Sequence, residues 1–395
     1  MGKPLRVAVV GGGIGGLSTA IALVRLADVH VTVFEQASQL GEVGAGVGVA
    51  PNGLRMFDRL RLRDAIESVG APYREGSTYY RHDGTLIGDM TTMDSSRRFY
   101  TLGLHRADLV AVLAAALPAD SVHTGYRLDA VDDLGDRVRL DFENGETHEF
   151  DAVIGADGIH SAVRGFVTDP RDPVSSGSIA YRGLVEAEQL PGWPTGVAQL
   201  WMGDGKHFLT YPVRSGRLIN YVGFVPSGER LKESWSAAGD PQSLAREFTG
   251  WDPRVESVIS AVEDTFWWGL YDREPLSQWS RNRVTLLGDA AHPMLPHLGQ
   301  GANQAVEDGV TLGVLLRGIG SDSVAGAFMR YEQLRLERTS AVQRGARDNG
   351  RRYDSAYRDL SQRDGEIQDS RNFRLWLYDY DAHAVAQGAA AASER

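Results

Sequence analysis

Two histidines and a tyrosine in this sequence, His207, His297 and Tyr211, are candidates for hydrogen bonding to a substrate and for proton transfer. His207 and Tyr211 are four residues apart, so on a regular strand they share one face, where they could hydrogen-bond a carboxylate or a phenolate. Packing on a sheet as two half-buried residues is the alternative. His297 follows Pro296, whose fixed φ rigidifies the chain. Because the pKa of histidine lies in the working range, His297 is the candidate base for a phenol. A histidine satisfied by backbone carbonyls is the alternative there.

A glycine-rich turn near the start of the chain can bind a nucleotide. It reads GGGIGG and satisfies the GxGxxG spacing between an apolar run and a helix pattern. Its backbone N–H groups and the helix N-terminus suit a pyrophosphate. Glu35 lies 19 residues after Gly16, where a carboxylate accepts hydrogen bonds from ribose hydroxyls and favours FAD or NAD over NADP. A plain glycine turn and a solvated strand end are the alternatives. The predicted binding residues here are Gly11, Gly13, Ile14, Gly15, Gly16, Glu35 and Gln36.

Later segments add charged groups and glycines that suit the same kind of ligand. Arg106 begins a predicted helix, where its charge opposes the helix dipole, so either an anionic partner or a plain surface position explains it. Asp289 lies in a glycine turn and could accept hydrogen bonds from sugar hydroxyls or form an Asx turn. Asp157 and Arg164 could equally form a structural ion pair. In the loop Gly299–Asn303, glycines allow a flat ring to come close, and the next helix would stabilise negative charge on that ring.

The elements that must position these residues follow two patterns. A βαβ unit is predicted from Leu5–Val10, Leu17–Ala27 and Val29–Phe34, which opens a parallel sheet. From Ser176 to about Pro275 the sequence favours short strands of a mostly antiparallel sheet. Residues 325–350 are predicted to be helical, and the alanine-rich end after Gln387 is predicted to fray.

Composition limits the kinds of partner. A chain of 395 residues is expected to form about two domains. Its net charge of −11 argues against a nucleic-acid partner, and the absence of cysteine excludes disulfides, thiolate metal sites and iron–sulfur clusters. There is no signal-peptide layout and no run of about 18 apolar residues. A cytoplasmic protein without a membrane partner is therefore expected.

Three motifs make the chain resemble the single-component FAD-dependent aromatic hydroxylases. DGIHSAVR at 157–164 matches the family's DGxxSxxR segment, LGDAAHP at 287–293 matches its GDAAH segment, and HRADL at 105–109 matches its RxxL helix start. The resemblance extends from residue 5 to about 345. It favours FAD over NAD as the bound nucleotide.

The resemblance implies a cofactor site, a fold and a reaction. Arg106 would reach the FAD phosphates and Asp289 the ribityl chain, and the loop would face the flavin. Asp157 and Val131 are assigned to the same site, together with Gly299, Gly301, Ala302 and Asn303. NADH or NADPH would be a transient co-substrate, because the sequence holds no second GxGxxG. One atom of O2 would enter a small aromatic ring through a flavin C4a-hydroperoxide.

The implied fold is α/β. A Rossmann-like FAD-binding domain (1–72, 101–175 and 276–330) would carry an inserted, mostly antiparallel substrate domain (73–100 and 176–275) and a helical C-terminal segment (331–395). Trp267, Trp268 and the late aromatics Phe373, Trp376, Tyr378 and Tyr380 are interpreted as core packing or a subunit interface rather than a pocket lid. A monomer or a homodimer is expected.

Within the family, the chain is most similar to the salicylate, 3-hydroxybenzoate and 6-hydroxynicotinate hydroxylases. Pro296-His297, the pair His207 and Tyr211, and the segment YDREP at 271–275 carry this likeness. Gly48 stands where the 6-hydroxynicotinate branch has a histidine, so a salicylate 1-hydroxylase-like reaction that releases CO2 and gives catechol is preferred. The alternatives are the other two hydroxylases, a tailoring hydroxylase of a larger phenol, and a flavoprotein oxidase or dehydrogenase.

Overall fold

The computed structural model describes residues 4–41, 46–169, 172–203, 205–228, 237–354 and 357–393. The strands in these ranges are β1 (Arg6–Val10), β2 (His30–Glu35), β3 (Gly46–Val49), β4 (Ala71–Pro72), β5 (Thr78–Arg81), β6 (Leu86–Asp89), β7 (Leu102–His105), β8 (Val122–Thr124), β9 (Leu128–Asp133), β10 (Val138–Phe142), β11 (Thr147–Phe150), β12 (Ala152–Gly155), β13 (Val174–Glu186), β14 (Gln199–Gly203), β15 (Lys206–Val213), β16 (Leu218–Pro226), β17 (Ala237–Gly239), β18 (Thr265–Asp272), β19 (Ser280–Arg281) and β20 (Val284–Leu286).

The helices connect and cover these strands. They are α1 (Ile14–Ala22), α2 (Pro51–Arg59), α3 (Arg63–Val69), α4 (Arg106–Ala115), α5 (Ala162–Val167), α6 (Pro241–Glu247), α7 (Pro253–Ser260), α8 (Gly301–Leu315), α9 (Val324–Asp354), α10 (Leu360–Asp369), α11 (Arg371–Tyr378) and α12 (Ala382–Ser393). Within the described ranges, no helix is both long enough and apolar enough to span a bilayer.

A parallel sheet holds the glycine turn. Its strand order is β19-β20-β12-β1-β2-β8, and β1 pairs in parallel with both β2 and β12. Residues 7–10 of β1 are all buried, as expected for a central parallel strand that is covered on both faces. The turn after β1 leads directly into α1, so the predicted βαβ unit is present.

A second sheet of eight strands follows the order β17-β18-β13-β16-β15-β14-β5-β6 and is antiparallel except between β14 and β5. In the pairing of β15 with β16, His207 lies opposite Phe224 and Tyr211 lies opposite Asn220. Each of the two predicted site residues on β15 thus has a neighbour on β16, Phe224 or Asn220, that the sequence did not mark as a site residue.

Two features of the C-terminal part differ from expectation. Helix α9 begins at Val324 and runs across the boundary proposed at 330/331. The prediction that the chain frays after Gln387 is wrong, because α12 continues to Ser393. Ala386 of α12 is completely buried, and α12 packs on α8. Ala382, Ala386 and the half-buried Ala390 therefore form a contact surface, which their small size allows.

A buried network of charges ties α8 to α9. Arg335 donates to Asp308 at 2.8 Å and to Glu307 at 2.5 Å, and Arg338 donates to Glu307 at 2.9 Å. His292 lies 2.6 Å from Asp308, so the predicted structural role of His292 agrees with its contacts. Burial opposes ionisation of Asp308, but His292 and Arg335 outweigh it and lower the pKa of Asp308 to about 2.

Replacing Glu307 by alanine is expected to destabilise the protein by about 3–5 kcal/mol, because two buried guanidinium groups would lose their shared carboxylate. Urea titration measures this change. Glu337→Ala, at an exposed position on α9, is the control, with an expected change within about 0.5 kcal/mol. Equal effects of the two substitutions would show that the network contributes nothing.

Candidate active site

One cavity of about 310 Å³ brings distant parts of the chain together. The parallel sheet contributes the turn after β20, and a small sheet of β3, β7 and β4 leads into the start of α4. The large sheet contributes β15 and β16, and the loop before α8 closes the space. Eight of the predicted site residues line this cavity: Arg106, His207, Tyr211, Asp289, His297, Gly299, Gly301 and Ala302. Groups predicted to hold a flavin and groups predicted to handle a substrate therefore share one space.

The glycine turn has the shape of a pyrophosphate cradle. Gly11 has a φ of 112°, and a Cβ at Gly16 would lie 1.9 Å from the Gly11 carbonyl oxygen, so both positions exclude larger residues for reasons within the protein. A Cβ at Gly13 would meet no atom of the described residues within 4 Å. Gly13 is also the N-cap of α1, and no side chain caps that helix. The first amides of α1 are thus open to an anion.

Glu35 binds the glycine turn directly. Its carboxylate accepts hydrogen bonds from the Gly12 N–H and the Ala37 N–H, both at 2.7 Å. Gln36 is exposed beside it. The ribose contact of Glu35 stays a prediction, but its position against the turn suits that contact. Val131 lies on β9 in a separate depression of about 330 Å³ next to α5, away from the main cavity.

The DGxxSxxR segment binds the backbone of the turn that contains Asp289. The Arg164 side chain donates to the carbonyls of Ala290 at 2.8 Å and Asp289 at 2.9 Å. Asp157 instead accepts from the Ser161 hydroxyl at 2.5 Å and the Ala162 N–H at 2.7 Å, which caps α5. The two side chains therefore bind different groups instead of forming the ion pair that was considered as an alternative. The hydrogen bonds of Arg164 connect the DGxxSxxR segment to the GDAAH segment.

The carboxyl of Asp289 opens onto the cavity but is otherwise surrounded by protein. This desolvation raises its pKa, while the positive charges of His292, Arg106 and Arg164 oppose the rise. The carboxyl oxygen lies 3.8 Å from the Cβ position at Gly301, at the start of α8. A carboxylate in this place can accept hydrogen bonds from the hydroxyls of a polyol chain, so the residues present fit FAD.

The loop before α8 presents backbone rather than side chains. Gly299 adopts a left-handed φ of 63° after a short 3₁₀ turn at Pro296–Leu298, and no side chain caps α8. The Asn303 side chain donates to the carbonyls of Gly299 at 2.7 Å and Gly48 at 3.1 Å. Asn303 therefore holds β3 against this loop, and its side chain is engaged with the protein. What remains for a flavin is the first amides of α8, which lack partners within the helix.

The two predicted histidines lie side by side. Their ring centroids are 5.1 Å apart, and His207 stacks on Phe224 at 4.0 Å. The Nδ1 atom of His207 lies 2.5 Å from a carboxylate oxygen of Asp354, at the end of α9. A carboxylate partner favours the proton on Nδ1 and leaves Nε2 as an acceptor. Asp354 was not foreseen, because 147 residues separate it from His207.

His297 differs from expectation in its pKa. The side chain is buried, and this burial together with neighbouring His207 lowers the pKa to about 3, although Asp354 opposes the change. The expectation of a pKa in the working range is therefore wrong for the protein alone. The Nδ1 atom has no hydrogen-bond partner among the described residues. His297 is thus a neutral imidazole that faces the cavity, and backbone carbonyls do not satisfy that atom.

Acidification from pH 7 to pH 5 is expected to destabilise the protein by about 2 kcal/mol through His297 alone. In the unfolded chain a histidine takes up a proton near pH 6.5, whereas His297 in the folded protein stays neutral down to about pH 3. The contribution of His297 to the stability of the folded protein is therefore fully present above about pH 6.5 and is lost as the pH falls below that value. Urea titrations at both pH values measure the loss, and His297→Asn should reduce it by that amount. An unchanged pH dependence in the variant would contradict the pKa shift.

The Tyr211 end of the cavity is polar. Asn220 accepts a hydrogen bond from the Gly46 N–H at 2.8 Å, and its amide nitrogen is buried with no partner in the described part of the chain. Burial raises the pKa of Tyr211 well above its ordinary value, with Arg182 opposing the change, so the phenol stays protonated. As the strand spacing predicts, Tyr211 and His207 open onto the same cavity. This end can donate hydrogen bonds to a ligand.

Several residues of the cavity were not predicted. Trp268 and Tyr378 pack in a hydrophobic cluster, as predicted, and they also line the cavity. Trp376, in contrast, is 44% exposed. Arg182, Tyr353 and Arg374 also line the cavity. No local sequence signal marks these residues, since each comes from an element whose packing is decided by the tertiary structure.

Comparison with known proteins identifies the class. Residues 4–346 match the FAD binding domain family. The chain is 37% identical to 3-amino-4-hydroxybenzoate 2-monooxygenase of Streptomyces platensis, over 96% of this chain and 97% of that one. It is 35% identical to 6-hydroxynicotinate 3-monooxygenase of Pseudomonas fluorescens, over 88% and 92%. A salicylate hydroxylase substrate complex superimposes with a TM-score of 0.84 at 29% identity, covering 98% of both chains.

The fold and the cavity therefore define a flavoprotein monooxygenase. The chain belongs to the FAD-binding family of aromatic hydroxylases, in the salicylate hydroxylase-like group. The predicted α/β class, the FAD cofactor and the resemblance to these hydroxylases are confirmed. NADH or NADPH is the electron donor typical of this family.

Proposed function

We propose that this protein hydroxylates a small benzoate that carries a ring hydroxyl and an adjacent amino group, such as 3-amino-4-hydroxybenzoate. NAD(P)H, H⁺, O2 and the arene would give NAD(P)⁺, H2O and the arene with one added oxygen. The observation that carries the proposal is the neutral imidazole of His297 in the same cavity as Asp289 and the loop before α8. Relatives named for this substrate support the choice of ring.

The protein's own groups have defined tasks in this scheme. When bound, FAD supplies the oxidation of NAD(P)H and the activation of O2. The imidazole of His297, which lines the cavity, accepts a hydrogen bond from the ring hydroxyl and takes its proton, which makes the ring more nucleophilic. A phenolate beside the new imidazolium raises the low pKa of His297, since opposite charges stabilise each other.

The pair of Asp354 and His207 supports this proton transfer. Asp354 orients the His207 ring, which stacks on Phe224 and lies against His297. The negative charge of Asp354 favours positive charge on His297, in the direction that its effect on the His297 pKa already shows. The closely packed surroundings exclude water from the imidazoles, which strengthens these interactions.

Decarboxylative hydroxylation of salicylate to catechol is a second candidate. It is favoured by the likeness to the salicylate hydroxylase substrate complex and by Gly48 in place of a histidine. The two reactions differ in their products: the first keeps the carboxyl group, and the second releases CO2.

The test is to add 3-amino-4-hydroxybenzoate, salicylate and 3-hydroxybenzoate separately to the FAD-loaded protein with NADH or NADPH and to identify products by mass. We expect stimulated NAD(P)H consumption and a product one oxygen heavier from the aminohydroxybenzoate. Catechol from salicylate alone would favour the second candidate. Hydrogen peroxide as the sole product from all three acids would contradict both.

A further inference from the structure

An arginine of the C-terminal helices reaches the cavity although no sequence motif contains it. Arg374 lies on α11, is 8% exposed and lines the cavity. One of its terminal nitrogens donates to the Tyr353 hydroxyl at 3.0 Å, and the other to the Tyr378 hydroxyl at 3.4 Å. Its Nε has no hydrogen-bond partner in the described ranges. The guanidinium is therefore bonded to two hydroxyls, and one of its three nitrogens has no partner.

The charge of Arg374 is what requires explanation. A buried guanidinium is normally paired with an acid, since desolvation without a counter-charge is costly. Arg335 and Arg338 follow this rule through Glu307. For Arg374, no carboxylate of the described residues lies within 4.0 Å. A carboxylate brought by a ligand would supply the missing counter-charge.

The surroundings of Arg374 fit one end of an aromatic acid. The Tyr353 ring, whose hydroxyl Arg374 contacts, lies 5.2 Å from the His207 ring and 6.4 Å from the His297 ring. Leu200 and Leu209 line the same cavity and offer apolar surface to an aryl ring. The cavity thus holds a fixed cation, an apolar part and a pair of imidazoles within the reach of one small substituted benzoate.

We propose that Arg374 is the carboxylate-binding residue of the substrate site, with the hydroxyls of Tyr353 and Tyr378 orienting its guanidinium. This assignment rests on the proposed function, because it names the group by which that site would select acids. The carboxylate binds at Arg374, and the ring hydroxyl is directed to His297. A guanidinium suits this task because its parallel N–H groups match the two carboxylate oxygens.

Arg182 is the competing candidate. It lines the same cavity, and its guanidinium lies over the Trp268 ring at 4.6 Å, close enough to Tyr211 to affect the pKa of that phenol. The indole face partly balances the charge of Arg182, whereas the aromatic contact of Arg374, with the Tyr79 ring at 6.0 Å, is more distant, which favours Arg374 as the carboxylate partner. Substitution of each arginine separates the two possibilities.

The test compares binding of benzoate with that of benzamide, a neutral molecule of the same shape, by titrating the FAD-loaded protein and following the flavin absorbance. Neither probe requires turnover. We expect benzoate to bind more tightly than benzamide, and Arg374→Met to reduce that preference by about 30-fold, as expected for a lost charge-assisted contact. Arg374→Lys keeps the charge and should retain part of the preference. Arg371→Met, an exposed position on the same helix, should leave it unchanged.

The outcomes distinguish this proposal from the function on which it rests. A wild-type protein that does not prefer benzoate over benzamide overturns the role of Arg374 even if the variants fail to fold. Loss of the preference in Arg182→Met but not in Arg374→Met also overturns it. If Arg374→Met abolishes the preference while no aminohydroxybenzoate is hydroxylated, the carboxylate site stands and the proposed substrate is wrong.

Discussion

Alanine in place of Gly13 is expected to weaken FAD binding by at least about 100-fold, while the free energy of unfolding of the FAD-free protein changes by less than about 1 kcal/mol. Within the described part of the chain, a Cβ at this position meets no atom within 4 Å, and the backbone φ of −75° is accessible to any residue. The requirement for glycine therefore comes from the ligand. The added methyl group holds the pyrophosphate away from the turn, and each charge-assisted hydrogen bond lost costs about 1.5–3 kcal/mol.

Gly320→Ala is the matched control for this prediction. Gly320 also precedes a short helix in an extended conformation, with a φ of −83°, and its Cβ position is also open. Equilibrium dialysis against FAD, together with urea titration of the FAD-free proteins, should show that only the change at Gly13 affects the cofactor. A Gly13→Ala variant that retains FAD at the wild-type affinity would contradict the placement of the pyrophosphate.

Alanine in place of Gly350 is expected to lower kcat by about 100-fold without loss of FAD. Gly350 lies on α9, and a Cβ there would be 2.5 Å from Cδ2 and 2.7 Å from Nε2 of His297. Since carbon atoms need about 3.5 Å, the imidazole must move by about 1 Å. A displacement of this size at a group that handles the reacting proton is enough for about a 100-fold loss. Steady-state kinetics with the substrate found in the screen measures it.

Gly326→Ala in the same helix provides the control. Its Cβ position meets nothing within 4 Å, so this substitution should leave kcat unchanged and stabilise α9 by about 0.5–1 kcal/mol. His297→Asn should lose activity to an extent similar to Gly350→Ala. Full activity in Gly350→Ala would show that the position of the His297 ring is not needed for the reaction.

The cofactor site could be predicted from the sequence because its signals are local. The turn from Gly11 to Gly16 needs glycine for reasons that are fixed within a few residues, and the strand and helix around it follow from short-range patterns. Along one strand, the spacing of His207 and Tyr211 was sufficient to place both on one face. The motifs that contain Arg106 and Asp289 match those of one family of hydroxylases. This match indicated that both residues bind the same cofactor.

The substrate part of the site was decided by tertiary packing. Asp354 pairs with His207 across 147 residues, and Arg374 reaches the cavity from a helix whose pattern indicates only packing. The pKa of His297 depends on burial and on its neighbour His207, neither of which can be inferred from the residue type. Sequence by itself determined which residues can bind a dinucleotide. Only the folded chain set the charge of the imidazole and the partners of the buried arginine, because both depend on groups that are distant in sequence.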